Sequence, residues 1–349
     1  MIGIVKVNIF FKLKDGPTGG GNQFLKSLRQ YLQSINVYEN DVQRADVVLF
    51  NSYQYIDETA RVKLEHRDKL FIHRIDGPIR LYNKESDRRD FVTNIANHLI
   101  AEATIFQSGW SRSENHRLGL KKNRFETVIT NAPDPTIFNR QGKQAFSAGR
   151  KTRVIATSWS SNWNKGFWVY QWLDEHLDFD KYEMIFVGNS PISFKNITHK
   201  LPLNSVELAS ELKKNDIFIF ASPIEACSNS LLEALSCGLP AIAINSSSNP
   251  ELVAKAGEVF DRPDEIPELL DKVVNHYADY QAAISNPSVD EVGKQYCDFI
   301  DYVYRQVQSG SVKRKHFGRL SYIGVMATIY RWRLSERMPG IIDRFMKSK

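Results

Sequence analysis

The stretch from Ile217 to Asn245, IFIFASPIEACSNSLLEALSCGLPAIAIN, leaves this chain few folds to choose from. Ile217-Phe218-Ile219-Phe220 is an apolar run of strand type, Ala221 to Ser228 reads as a loop, and Leu231, Leu232, Ala234 and Leu235 fall at helical spacing. Gly238-Leu239-Pro240 stops that helix before a second strand, Ala241 to Ile244. The result is one βαβ unit. In open parallel sheets ligands bind beyond the carboxyl ends of the strands, where helix N-termini offer free amides to anions, and the loop from Glu225 to Asn229 lies in that place. Glu225 and Glu233 stand eight residues apart, one before the helix and one about a turn inside it, so both can face one crevice. A phosphate repels a carboxylate, whereas vicinal hydroxyls of a sugar or ribose donate to one, so the pair suggests a sugar nucleotide.

Glu225-Ala-Cys-Ser-Asn-Ser-Leu-Leu-Glu233, followed by Ala-Leu-Ser-Cys-Gly-Leu-Pro-Ala, resembles the E-x7-E signature of retaining glycosyltransferases of family 4, which have the GT-B architecture. The resemblance implies that Glu225 contacts hydroxyls of the donor sugar, that Glu233 contacts the ribose, and that the amides near Ser228, Asn229 and Ser230 hold the diphosphate. Read locally, Ser230-Leu-Leu-Glu233 is also a capping box, and a Glu in a first helical turn suits the helix dipole.

A chain of 349 residues fits two domains of roughly 130 to 170 residues each. Cys227, Cys237 and Cys297 are odd in number and lack the doublets of a zinc site, which points to a reducing compartment. The first residues, MIGIVKVNIFFKLKDG, are broken by Lys6 and read as a first strand rather than a signal peptide. The longest later apolar run, Leu320 to Tyr330, is too short to span a bilayer, so a cytoplasmic protein is expected.

Residues 1–140 are expected to form an N-terminal Rossmann-like domain on the acceptor side. Its first strand leads into Asp15-Gly-Pro-Thr-Gly-Gly-Gly-Asn22, where Gly19, Gly20 and Gly21 allow backbone to approach a ligand closely. Phe24 occupies the third glycine position of a dinucleotide fingerprint, which argues against an oxidoreductase. In the family a glycine-rich loop here lines the donor diphosphate; otherwise it is a hinge. Strands are expected at Asp46–Asn51, at Leu70-Phe-Ile-His-Arg-Ile and at 103–108, with an amphipathic helix over 87–102. The strand from Leu70 breaks at Gly77-Pro78, which puts His73, Arg74 and Asp76 at its carboxyl end. The resemblance gives His73 a catalytic place and sets Arg74 and Asp76 on the acceptor side; alone, such a His reads as structural. Val128 to Phe138 resembles the family's Asn-Gly-Val-Asp segment, with Ala132-Pro133 in place of Gly-Val.

After a polar linker at 141–151, a donor-binding Rossmann-like domain is expected over 152–305. It opens with the strand Thr152–Ser158, the loop Trp159-Ser-Ser-Asn-Trp-Asn-Lys-Gly166 and the helix 167–176. Lys165-Gly166 matches the family's lysine, implying that Lys165 neutralises the donor diphosphate. The arginine usual five residues earlier is Ser160 here, and Asn162 is a candidate for part of that work. A basic tail follows at 306–349. From Ser311 onward it holds ten Lys or Arg against Glu336 and Asp343, a net of +8, while the whole chain carries +6. Phe317, Leu320, Ile323, Met326, Tyr330 and Leu334 recur at helical spacing, so the tail is either an amphipathic helix on anionic lipid or a final helix packed on the first domain.

These readings converge on an α/β chain of GT-B architecture, two Rossmann-like domains facing a cleft with a basic helical tail. The expected activity is transfer of a hexosyl-type group from a nucleotide diphosphate sugar to an acceptor hydroxyl, with Glu225, His73 and Lys165 as catalytic candidates. No aspartate cluster suggests a divalent ion, and no cofactor is expected beyond the nucleotide sugar. The expected partners are that donor, a glycan or lipid-linked acceptor of bacterial-type polysaccharide or glycolipid assembly, and an anionic inner-membrane surface, with no nucleic acid. The alternative is a catalytically silent sugar-nucleotide module, a scaffold or regulator.

Overall fold

The computed structural model describes residues 5–14 and 20–347, the last of these, 337–347, as backbone only. The apolar runs form two sheets in which every described strand pairing is parallel. In the first, β1 (Val7–Phe10), β2 (Val47–Asn51), β3 (Leu70–Ile75), β4 (Ala103–Phe106) and β5 (Phe125–Val128) lie in sequence order. In the second, β6 (Thr152–Ser158), β7 (Tyr182–Gly188), β8 (Thr198–Lys200), β9 (Ile217–Phe220), β10 (Ala241–Ile244) and β11 (Gly257–Phe260) take the order β11-β10-β9-β6-β7-β8. Strands β2, β3, β4, β9 and β10 are buried at every position, as unalternated apolar runs must be when both faces of a sheet are covered.

The second sheet is doubly wound. On one face Val154, Ala156, Phe186, Ile219 and Ile242 pack with Phe167, Tyr170 and Leu270; on the other Ile155, Phe218, Phe220 and Ala243 pack with Leu212, Leu231 and Leu235. The chain runs outward from β6 through β7 and β8, then returns to lay β9 beside β6, with Val154 opposite Ile217 and Ile155 opposite Phe218. Loops leaving β6 and β9 therefore diverge from adjacent strand ends, the crevice where such sheets bind ligands.

The chain divides into two compact units that are not consecutive in sequence. One comprises Met1–Lys12, Arg29–Ile129 and Gly293–Lys349; the other comprises Leu13–Leu28 and Thr130–Val292. This differs from the linear partition 1–140, 141–151, 152–305 and 306–349. The glycine-loop segment goes with the second sheet, because Gly20 abuts Asn229, and the tail goes with the first. The tail is a packed helix, Arg319–Lys347, lying on the helices Ile56–Glu65 and Arg89–Leu99. Phe317, Val325 and Ile329 bury against Val48, Phe50, Ile56, Val92 and Ala96, with Met326 and Trp332 partly buried beside them. Arg333 bonds Asp57 at 2.7 Å.

Truncating Ile329 should leave a cavity costing about 2–4 kcal/mol, whereas truncating exposed Tyr330 should cost within about 0.5 kcal/mol. Chemical denaturation of Ile329→Ala and Tyr330→Ala checks both, and similar losses in the two would contradict the packing described.

Candidate active site

The site is built at the β6/β9 switch point. Beyond β6 the chain makes a short 3₁₀ turn, Trp163–Lys165, capped by Asn162, whose side-chain oxygen accepts from the Asn164 amide at 3.0 Å. Gly166 closes the turn at φ 81°, and a Cβ there would lie 2.0 Å from the Ala221 carbonyl oxygen, so only glycine lets this loop pass the one leaving β9. That close approach aims Lys165 across the crevice. Its Nζ meets Glu225 Oε1 at 2.7 Å, with the two side chains 29% and 21% exposed.

Glu225 is held from several sides. Ser222 Oγ donates to the same Oε1 at 2.7 Å, the Glu225 amide donates to Ser247 Oγ at 3.0 Å, and the Ser248 amide reaches the Glu225 carbonyl at 3.3 Å. Asn249 donates to the Ser222 carbonyl at 2.9 Å, so the loop after β10 braces the loop after β9. Three strand ends thus fix one carboxylate.

The helix Asn229–Ser236 starts next to this pair. Ser228 caps it, accepting from the Leu231 amide and sharing a hydrogen bond with Ser230 Oγ at 3.1 Å. The amides of Asn229 and Ser230 have no intrahelical acceptor and receive none from the described residues, which leaves a helix N-terminus ready for an anion. The Asn229 side chain accepts from Asn131 at 2.9 Å and leaves no room for a Cβ at Gly20, which would sit 2.0 Å from Asn229 Nδ2. Gly21 has open space at the same test, and Gly19 lies outside the described residues. Burial alone pushes the Glu233 carboxyl up to about 8, with no cation or hydrogen bond among the described residues to offset it.

The residues expected at the end of β3 behave differently. His73 is fully buried and stacked on Phe50 at 4.2 Å. Its Nε2 lies 2.9 Å from the Ser52 carbonyl, its Nδ1 lies 3.2 Å from Asn97 Oδ1, and burial lowers its pKa to about 4. His73, expected as a catalytic residue, thus lies inside the core, with an oxygen within hydrogen-bond reach of each ring nitrogen, to only one of which a neutral imidazole can donate. Arg74 is equally buried, bonding Asn51 at 2.6 Å and Asp76 at 3.1 Å. Asp76, also bonded by Gln107, keeps its side chain 27% exposed and is the member of the trio that meets solvent.

A family model described as Glycosyl transferases group 1 matches residues 165–279, about a third of the chain, spanning Lys165, Glu225 and Glu233. No curated protein matches by sequence. Among solved structures, sucrose-phosphate synthase of Thermosynechococcus elongatus aligns with a TM-score of 0.58 at 10% identity, over 95% of this chain and 100% of that one. Anabaena Alr3699/HepE, solved with UDP-glucose, aligns with a TM-score of 0.59 at 14% identity, over 87% and 98%. The pneumococcal O-GlcNAc transferase GtfA, solved with UDP and GlcNAc, aligns with a TM-score of 0.54 at 13% identity, over 79% and 59%. The fold is that of the GT-B glycosyltransferases.

In GT-B terms, the second sheet brings together Lys165, Glu225, Ser228, Asn229, Ser230, Glu233 and Gly20, with exposed Asn162 at the head of the Lys165 turn. Ser222, Ser247 and Asn131 were not singled out by sequence reasoning. Asn131 sits in the segment that carries Ala132-Pro133 in place of the family's Gly-Val, and the two serines carry no motif.

A Glu whose folded pKa is raised stabilises the fold fully below its unfolded pKa and loses that contribution as pH rises toward about 8. Relative to Glu233→Gln, the wild-type melting temperature should therefore fall from pH 5 to pH 8 and level off above. A difference between the two proteins that stays flat over this range would contradict the desolvated carboxyl.

Proposed function

We propose that the protein is a retaining glycosyltransferase of family 4 that moves a hexosyl-type group from a nucleotide diphosphate sugar to an acceptor hydroxyl. The observation that carries this reading is the convergence of Lys165, Glu225 and a free helix N-terminus at the switch point of the second sheet. The match to group 1 transferases over these residues supports it, as do GT-B neighbours solved with UDP-glucose or with UDP and GlcNAc.

As the anomeric bond breaks, negative charge grows on the leaving diphosphate, and the enzyme gains most by stabilising that charge with groups already in place. Lys165 and the amides of Asn229 and Ser230 supply a cation and a dipole end within one crevice; Gly20 borders the same helix start, with Gly21 following it in open space, and Asn162 presents its amide beside Lys165. Glu225 accepts from hydroxyls of the donor sugar and, by pairing with Lys165, keeps that lysine oriented. Glu233, carried as a neutral acid near pH 7, both donates to and accepts from the ribose hydroxyls. Asp76, steadied by Arg74, is assigned to the acceptor side. The acceptor is a glycan or lipid-linked sugar of surface polysaccharide or glycolipid assembly, met at the cytoplasmic face of a membrane. Ser160 in place of the usual arginine favours one second reading, a silent sugar-nucleotide module; hydrolysis of UDP-glucose without acceptor tells the two apart.

Lys165→Ala should lower kcat by roughly 10²-fold or more, the usual loss for one electrostatic stabiliser of a developing anion. Glu225→Ala should abolish transfer with an unchanged circular-dichroism spectrum; wild-type turnover by either variant would sink the assignment. Transfer is also proposed to need no divalent ion, so turnover should persist in EDTA, and restoration by magnesium after a loss would overturn that point.

A further inference from the structure

Over residues 319–336 the helix Arg319–Lys347 has two apolar faces, and the described residues cover only one of them. With successive residues turning by about 100°, Val325 and Ile329 point together onto the first unit and are buried. Leu320, Ile323, Ala327, Tyr330 and Leu334 recur at steps of three and four, forming a continuous stripe on the opposite side. Leu320 is 85% exposed, Ile323 60%, Tyr330 64% and Leu334 40%. Arg319 borders this stripe on one side and Arg331 on the other, both exposed. From residue 319 to 335 there is no Asp or Glu, and the acids that do reach the helix, Asp57 on Arg333 and Glu336 on Lys84, belong to its packed side.

We propose that this stripe is a membrane-surface contact, lying in the headgroup–acyl boundary of a bilayer rich in anionic lipid. An in-plane helix needs apolar side chains along one line, an aromatic with a polar tip and flanking cations, and the stripe offers each in Leu320, Ile323 and Leu334, Tyr330, and Arg319 with Arg331. A second copy of the chain fits less well. The stripe is about 21 Å long and about 10 Å wide, on the order of 200 Å², well short of the roughly 800 Å² per partner of a stable interface. The two arginines would also find no acidic partner along the same face. No helix among the described residues is long and apolar enough to cross a membrane, so the contact is peripheral. The inference deepens the proposed function by bringing the enzyme to a lipid-linked acceptor, but the lipid contact can be measured without any sugar.

The full chain is compared with Leu320→Ser/Ile323→Ser/Tyr330→Ser and with Arg319→Glu/Arg331→Glu. Each is sedimented with vesicles of phosphatidylcholine alone or mixed equally with phosphatidylglycerol, at low and high salt. The wild type should partition to the mixed vesicles at least tenfold more than to the neutral ones, and less at high salt. Both variants should lose roughly tenfold or more of that binding while keeping the wild-type melting temperature. Undiminished binding by the triple-serine variant overturns the proposal, as does a wild type that ignores vesicles and forms a dimer in sedimentation velocity that the triple variant abolishes. Transfer from UDP-glucose to a soluble acceptor is followed in parallel. Its persistence in a chain that ignores vesicles would sink the membrane contact alone, and its absence in a chain that binds them would sink the transferase reading alone.

Discussion

Laying β9 against β6 is the step on which the site depends. Lys165 and Glu225 are 60 residues apart in sequence, and each leaves its strand at the carboxyl end, so they meet only because the sheet order reverses between them. The contact of Gly166 with Ala221 shows how little slack this arrangement has, since any side chain would collide with backbone that cannot yield. Positioning of this kind comes from strand pairing and loop packing, and the ion pair follows from it. An exposed pair of these residues would contribute only about 0–1 kcal/mol to stability, so its importance lies in orientation.

The electrostatics of the crevice are graded. Lys165 and Glu225 satisfy one another, the start of the helix Asn229–Ser236 presents uncommitted amides, and Glu233 lies about a turn inside that helix, partly buried, with desolvation pushing its carboxyl up to about 8. A helix N-terminus favours a carboxylate by about 0.3–1 kcal/mol, too little to offset that desolvation. Glu233 therefore rests near neutrality at ordinary pH, which removes the repulsion a second carboxylate would exert on a diphosphate.

Polar burial in the first unit serves a different end. His73, Asn97, Thr104 and Asn123 form one network across β3, β4 and the segment before β5, and Lys315 enters it, donating to Asn97 O at 3.0 Å and Asn123 Oδ1 at 2.5 Å. Burial lowers the Lys315 pKa to about 8. A partly buried lysine from the tail, bonded into this network, together with buried Phe317 two residues on, fixes where the last helix begins. The tail is thus part of the fold, and what it shows to solvent is set by which face it buries.

Much of this was legible in the sequence wherever the signal is local. The runs 217–220 and 241–244 are strands as read, because unbroken apolar segments this short bury themselves most readily between helices, and 152–158 is a strand built around its apolar centre Val154-Ile155-Ala156. Short edge strands such as Thr198–Lys200 escaped, since exposed polar residues carry no period. Motif spacing also placed Glu225, Glu233 and Lys165, but could not say that one Glu would be ion-paired and the other left without a partner. His73 illustrates the limit: its place at a strand end was readable, yet its burial depends on Phe50, Ser52 and Asn97 arriving from elsewhere in the chain. In the tail, helical spacing puts Phe317 and Met326 in one period with Leu320, Ile323, Tyr330 and Leu334, whereas Phe317 and Met326 pack with Val325 and Ile329 and the other four are exposed. The sequence by itself determined that the tail is an amphipathic helix, because periodicity is a local property; which of its apolar residues are core was decided by the tertiary structure, because burial is a contact with residues hundreds of positions away.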